Sequence, residues 1–85
     1  MITKEIVAKI LYDVDPANTF CKENEMYSEY ETEAEMITEE ILNLEKDNIV
    51  LDVVVRTFDE QFQNVDIDFD KMLEISAMLE GELYI

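Results

Sequence analysis

Residues 48–58, Asn-Ile-Val-Leu-Asp-Val-Val-Val-Arg-Thr-Phe, decide the fold class. The stretch is rich in β-branched residues, which suit strands. Downstream, Val65-Asp66-Ile67-Asp68-Phe69-Asp70 alternates apolar and acidic residues with the period of a strand. A hairpin built from residues 49–58 and 64–70 would make the chain α+β. Against this, Leu51, Val54, Val55, Phe58 and Phe62 form a helical stripe. In a strand, Val50 and Val54 would face away from Ile49, Leu51, Val53 and Val55. A helix over 48–63 is therefore the main expectation, with the hairpin as the alternative.

Working outward, the neighbouring segments read as helices. Ile2, Ile6, Ile10 and Leu11, with Val7 beside them, predict an amphipathic helix over 2–13. Thr3 is its candidate N-cap, and Asp15-Pro16 ends it, because a residue before proline is pushed out of helical geometry. Residues 15–28 read as a long connection. Tyr30, Ala34, Ile37, Ile41 and Leu44 step by four and three residues and predict a helix over 29–46. Two capping boxes compete for its start, Ser28 with Glu31 and Thr32 with Glu35. Lys46 complements the far end of the helix dipole, and Asp47 and Asn48 offer a break and a new cap. Phe69, Met72, Ile75 and Leu79 predict a last helix over 69–80, capped by Asp68 or Asp70 and closed by Gly81. Glu82-Leu83-Tyr84-Ile85 would then be a short tail folding back on the bundle. The expected architecture is all-α, a single domain over 1–85 of about four helices. The expected core is Ile6, Ile10, Ala34, Ile37, Ile41, Val54, Phe58, Phe62, Met72, Ile75 and Leu79.

The composition narrows function. Of 85 residues, 22 are acidic and six basic, none is His, and the net charge is −16. Such a chain is a poor ligand for DNA, RNA or an anionic membrane, which bind through cations. The apolar share of 48% exceeds that of a disordered acidic tail and predicts a folded domain. Cys21 has no partner for an internal disulfide, which suits a reducing compartment. The charged residues in the first fifteen break up any signal-peptide pattern, and no apolar run nears the ~20 residues of a membrane span. A cytoplasmic location is expected.

Candidate chemistry is sparse. Asp66, Asp68 and Asp70 open like an EF-hand loop, but Lys71 and Ala77 stand where that loop needs Gly and Glu. An acidic edge leading into a helix cap is the simpler reading. Cys21 lacks the His base a thiol nucleophile uses and reads as a small buried residue. The five Met residues read as core filler. No zinc set and no phosphate loop is present. No cofactor, metal or enzymatic activity is expected.

The acid distribution is the informative feature. Between Lys22 and Lys46 lie nine carboxylates and no base, and between Arg56 and Lys71 five more. Glu25/Glu29, Glu29/Glu33, Glu31/Glu35 and Glu35/Glu39 fall four apart, a spacing at which like charges on a helix cost a few tenths of a kcal/mol, roughly. A one-signed field steers toward a basic partner; general solubility is the plainer explanation. The candidate partner-binding residues are Glu23, Glu25, Tyr27, Glu29, Glu31, Glu33, Glu35, Glu39, Asp66, Asp68 and Asp70. Tyr27 is included because Tyr combines a large contact area with a polar tip. Tyr30, on the apolar stripe, is expected to be partly core.

Asp15-Pro16 followed by Glu29-Tyr30-x-x-Glu33-Ala34-x-x-Ile37 resembles the layout of the YugE-like family of small helical bacterial proteins, and of small immunity proteins that neutralise a toxin. Phe58 and Phe62 resemble the aromatics of that layout's third helix. Val14 stands where the pattern has Trp before Asp-Pro, and no Gly follows Phe62. Over roughly residues 4–80, the resemblance implies an all-helical fold and an immunity role. Charge and resemblance together give one expectation: an interaction protein, monomer or homodimer, that occludes a basic target. That target would be a toxin nuclease or a nucleic-acid-handling defence complex, as for a phage anti-CRISPR protein or DNA mimic. The alternative is a structural or regulatory helical module whose acidity serves solubility.

Overall fold

The structure, a computed structural model, describes residues 2–43, 50–62 and 67–83 and contains four helices, with no strand among them. They are α1 (Lys4–Val14), α2 (Glu31–Leu42), α3 (Val50–Gln61) and α4 (Phe69–Leu83). Each helix packs on the next, and α4 returns onto α1, so the four close a ring around one core. The radius of gyration is 12.0 Å, against about 12 Å for a compact chain of this length.

Helix α1 begins as its sequence predicts. Thr3 is extended, and its hydroxyl accepts the Ile6 N–H at 3.2 Å. It ends at Asp15, whose φ of 53° is left-handed and whose N–H donates to the Leu11 carbonyl at 2.8 Å. The buried stripe is Val7, Ile10 and Leu11 rather than one centred on Ile6, which is half-buried. Ile2, Ile10 and Leu11 are buried as expected, Val7 takes the place of Ile6, and Cys21 and Tyr30, outside α1, join the same core.

Neither capping box starts α2. Tyr30 is the cap residue, it makes no side-chain cap bond, and the Glu31 N–H turns back to the Ser28 carbonyl at 3.2 Å. The Tyr30 side chain is drawn inward and is almost completely buried. Burying a large aromatic outweighs the ~1 kcal/mol of a cap, so the helix starts two residues later than expected. Asn43 closes α2. The expected residues 44–46 and the break at Asp47 and Asn48 lie outside the described residues.

Helix α3 settles the contested stretch over residues 50–58; residues 48 and 49 lie outside the described residues. Val50, Val53, Val54, Thr57 and Phe58 lie on one buried stripe, with Leu51 and Val55 half-buried at its margin. Only a helix places the first five together; a strand would split them across two faces. Packing has overridden the β-branched preference. The stripe again differs by about a residue from the expected one, and Phe62 is half-buried just past the helix end.

Helix α4 is capped by Asp68, whose side chain accepts the Asp70 N–H at 3.0 Å. It buries Met72, Ile75, Ser76 and Leu79. Phe69, expected on that face, is 51% exposed in the first turn. Gly81 does not end the helix. It lies inside α4, no glycine has positive φ, and the helix runs on to bring Leu83 against the core. The expected fold-back therefore does not begin at Glu82, and Tyr84 and Ile85 lie outside the described residues.

Two buried hydroxyls, on Thr57 and Ser76, have no hydrogen-bond partner among the described residues. Replacing a buried unpaired hydroxyl by a methyl removes a desolvation cost. Thr57→Val is accordingly expected to raise stability by about 1 kcal/mol, read as a higher urea midpoint with an unchanged m-value.

Candidate functional site

The connection between α1 and α2 is a built loop. Asp15, which the sequence marks only as a helix stop, is its hub. Its Oδ1 accepts the Thr19 N–H and hydroxyl, both at 3.0 Å, and the Tyr30 hydroxyl at 2.6 Å. Its Oδ2 accepts the Phe20 N–H at 2.9 Å. The Tyr30 hydroxyl in turn accepts the Ala17 N–H at 3.1 Å. From α4, the Lys71 ammonium donates to the Asp15 carbonyl and to Asn18 Oδ1. Burial pushes the Asp15 carboxyl up, but the hydrogen bonds from Tyr30, Thr19 and Phe20 outweigh it, and the net direction is down. Burial, and then the hydrogen bond to Asp15, raise the Tyr30 phenol.

Asp15, Asn18, Phe20 and Glu25 all have positive φ, an uncommon state for residues other than glycine. The Asp15 clip holds the first of these turns in place. Cys21 is buried, and its thiol donates to the Tyr12 carbonyl at 3.4 Å. Burial pushes the thiol up, so it is not activated as a nucleophile.

This loop delivers Met26 and Tyr27 to the outer side of α1. The Tyr27 ring stacks on Tyr12, with centroids 5.3 Å apart and planes 29° from parallel, and the residue is 69% exposed. Beside it runs a groove of about 660 Å³, lined by Lys4, Glu5, Ala8, Glu25, Met26, Tyr27, Ser28, Glu29 and Glu31. A neighbouring hollow shares Glu5, Ala8 and Tyr27 and extends the groove to Lys9 and Tyr12.

The predicted partner-binding residues divide. Glu23, Glu25, Tyr27, Glu31, Glu35 and Glu39 are exposed and Glu29 is half-exposed. Glu33 is a correction: it is only 6% exposed, sharing the inner face of α2 with Ala34 and Ile37. Burial pushes its carboxyl up, and the charge of Glu29 adds to the effect. With α2 starting at Glu31, Glu25/Glu29 and Glu29/Glu33 are not helical pairs, while Glu31/Glu35 and Glu35/Glu39 are.

The acid field is also less bare than its sequence suggests. Lys4 reaches across from α1, 3.1 Å from Glu31 and 3.9 Å from Glu35, and Arg56 pairs with Glu40 at 2.9 Å. These pairs join residues 16 to 31 apart, and no local pattern announces them. Asp68 and Asp70 are exposed at the start of α4, next to Lys71 and so to the Asp15 end of α1. The Lys4 end lies eleven residues away, about 16 Å along the helix. Of the first acidic stretch, Glu31 and Glu35 lie at the Lys4 end, whereas Tyr30 within it reaches Asp15 at the other. Asp66 lies outside the described residues. Among those described, no group of three metal-ligating side chains is placed to hold an ion, and no helix is long and apolar enough to cross a membrane.

The Asp15 clip was missed in the sequence; the signal that could have found it is an Asp opening a polar loop, since Asp side chains accept from nearby backbone N–H groups in turns. No protein-family model, characterised protein or solved structure matches the chain.

Proposed function

We propose that this protein is a cytoplasmic interaction protein, not an enzyme, that binds and inhibits a basic, nucleic-acid-handling protein by occlusion. Toxin immunity and phage counter-defence, as by an anti-CRISPR protein or DNA mimic, are the two settings that fit. The resemblance to YugE-like and immunity proteins favours the first. The supporting observation is the run of outward carboxylates on the loop before α2 and along α2, with the exposed Tyr27 ring among them. Spaced carboxylates on a rigid helix imitate a phosphate backbone and draw in a groove lined by Lys and Arg. The protein acts as a monomer or homodimer, without a cofactor.

The test is charge reversal that spares the internal ion pairs. Glu23→Lys, Glu25→Lys, Glu29→Lys and Glu39→Lys together leave the Lys4 contacts with Glu31 and Glu35 intact. The native partner is first identified by affinity capture from the host with the unaltered chain. The fourfold variant is expected to keep its helical circular dichroism and to bind that partner about 100-fold more weakly, four rim charges at about 0.7 kcal/mol each. Binding by the unaltered chain should weaken as salt rises, and short duplex DNA should compete with it. Unchanged affinity in the variant would instead identify a module that binds through its apolar surface, with charge serving solubility.

A further inference from the structure

We propose that the groove between α1 and the Met26–Tyr27 segment is an arginine-binding site: a guanidinium from the partner lies on the Tyr27 ring among the carboxylates of Glu5, Glu25 and Glu29. This rests on the reading of the protein as a binder of basic partners and names the group it grips.

Four observations lead to the groove rather than to the acid field as a whole. It is an open groove of about 660 Å³, a volume within the range of sites that hold a side chain or small ligand. Its aromatic wall is held in place: Tyr27 stacks on Tyr12, which α1 anchors, so the ring is presented without a large loss of freedom on binding. Tyr27 is 69% exposed and Met26 is also exposed, an apolar outlay that the core does not use.

The fourth observation is charge. Lys4 lines the groove but is engaged by Glu31 and Glu35. Glu5, Glu25 and Glu29 make no ion pair among the described residues, so a cation entering the groove meets carboxylates that no lysine holds.

A flat aromatic face beside several carboxylates suits arginine better than lysine. The guanidinium is planar, stacks on rings and donates in a fork, whereas the ammonium is a compact, strongly hydrated point charge. The methylene stem of the arginine would lie along Ala8 and Met26. The surface remote from the groove, such as Asp59, Glu60 and Glu74, offers charge without an aromatic and should not discriminate between the two cations.

The experiment is an amide-resolved NMR titration of the full chain with two probes, acetyl-(Arg-Ala)₃-amide and acetyl-(Lys-Ala)₃-amide. The arginine peptide is expected to bind about threefold more tightly, the scale of an exposed cation–π contact. Its shifts should centre on Ala8, Tyr12, Met26 and Tyr27. Tyr27→Leu keeps the bulk but loses the π face, and should bring the two peptides to equal affinity while leaving the spectrum of a folded chain. Tyr27→Ala should do the same.

Equal affinities for the unaltered chain, or shifts spread over Asp59, Glu60 and Glu74 in proportion to charge, would overturn the site. So would shifts confined to Glu35 and Glu39 that Tyr27→Leu does not alter. That last pattern would leave the acidic docking reading standing, since it places a cation on α2 instead. Loss of the native partner on charge reversal, with no arginine preference here, separates the two in the same way.

Discussion

Phe58→Ala is expected to lower stability by about 4 kcal/mol. The ring is fully buried at the meeting point of α2 and α3. It packs edge-on against Tyr30 at 6.0 Å and stacks on Phe62 at 5.5 Å, and Tyr30 and Phe62 are themselves 6.3 Å apart. Truncation loses the transfer energy of the ring, the pairwise aromatic contacts and the packing around the void. A chain of this length has roughly 4–13 kcal/mol in total, so the variant should be partly unfolded at 37 °C. Phe62→Ala, at a half-buried position, should cost about 1.5 kcal/mol by lost area alone. Urea denaturation of both variants checks the claim. Equal losses would mean that the three rings share the load evenly and that Phe58 is not the centre of the cluster.

The second large effect concerns Asp15. Asp15→Ala leaves the buried Tyr30 hydroxyl and the Thr19 and Phe20 N–H groups without their acceptor. About 3 kcal/mol is expected, since hydrogen bonds to a charged group are among the costlier ones to remove. Asp15→Asn should cost nearly as much. Its amide has one acceptor, and its NH₂ would face the Phe20 N–H, donor against donor.

The pH dependence follows from the direction of the shift. The folded carboxyl titrates below the ordinary value of 3.8, so its stabilisation is present above 3.8 and is lost as pH falls through the lower folded value. Glu33 has the opposite sign. Its folded carboxyl is raised above 4.5, so its contribution is present at and below 4.5 and is lost as pH rises through the raised value. Stability of the unaltered chain should therefore peak between the ordinary Asp value and the raised Glu33 value. Asp15→Asn should flatten the acid side of that peak and Glu33→Gln the neutral side. Thermal melts at constant ionic strength across pH 3–8 read both. A maximum at neutral pH in the unaltered chain would contradict the assignment for Glu33.

The helical count was legible because helical periodicity is local. A stripe such as Ala34, Ile37 and Ile41 needs only its own helix to be recognised, and all three are buried. The same logic favoured a helix over 48–63, with a hairpin as the alternative, and the structure shows a helix over Val50–Gln61, which gathers the apolar side chains on one side. What periodicity could not supply was the phase of each stripe to within one residue. Val7 rather than Ile6, and Val53 rather than Val55, are fully buried because neighbouring helices, not the helix itself, decide which edge of the stripe turns inward.

Composition by itself determined the sign of the chain's own field and excluded chemistry that needs an imidazole: a net charge of −16 and the lack of any histidine do not depend on folding. The tertiary structure alone decided which carboxylates are usable. It buried Glu33, tied Glu31 and Glu35 to Lys4 and Glu40 to Arg56, and set Asp68 and Asp70 beside Lys71, which reaches the Asp15 carbonyl. It also converted Asp15 from a helix stop into the clip that joins Thr19, Phe20 and Tyr30. The physical reason is the same in each case. Charge is additive along a chain, but burial and ion pairing depend on contacts between residues as much as 56 positions apart, such as Asp15 and Lys71, and only the packed helices bring these together.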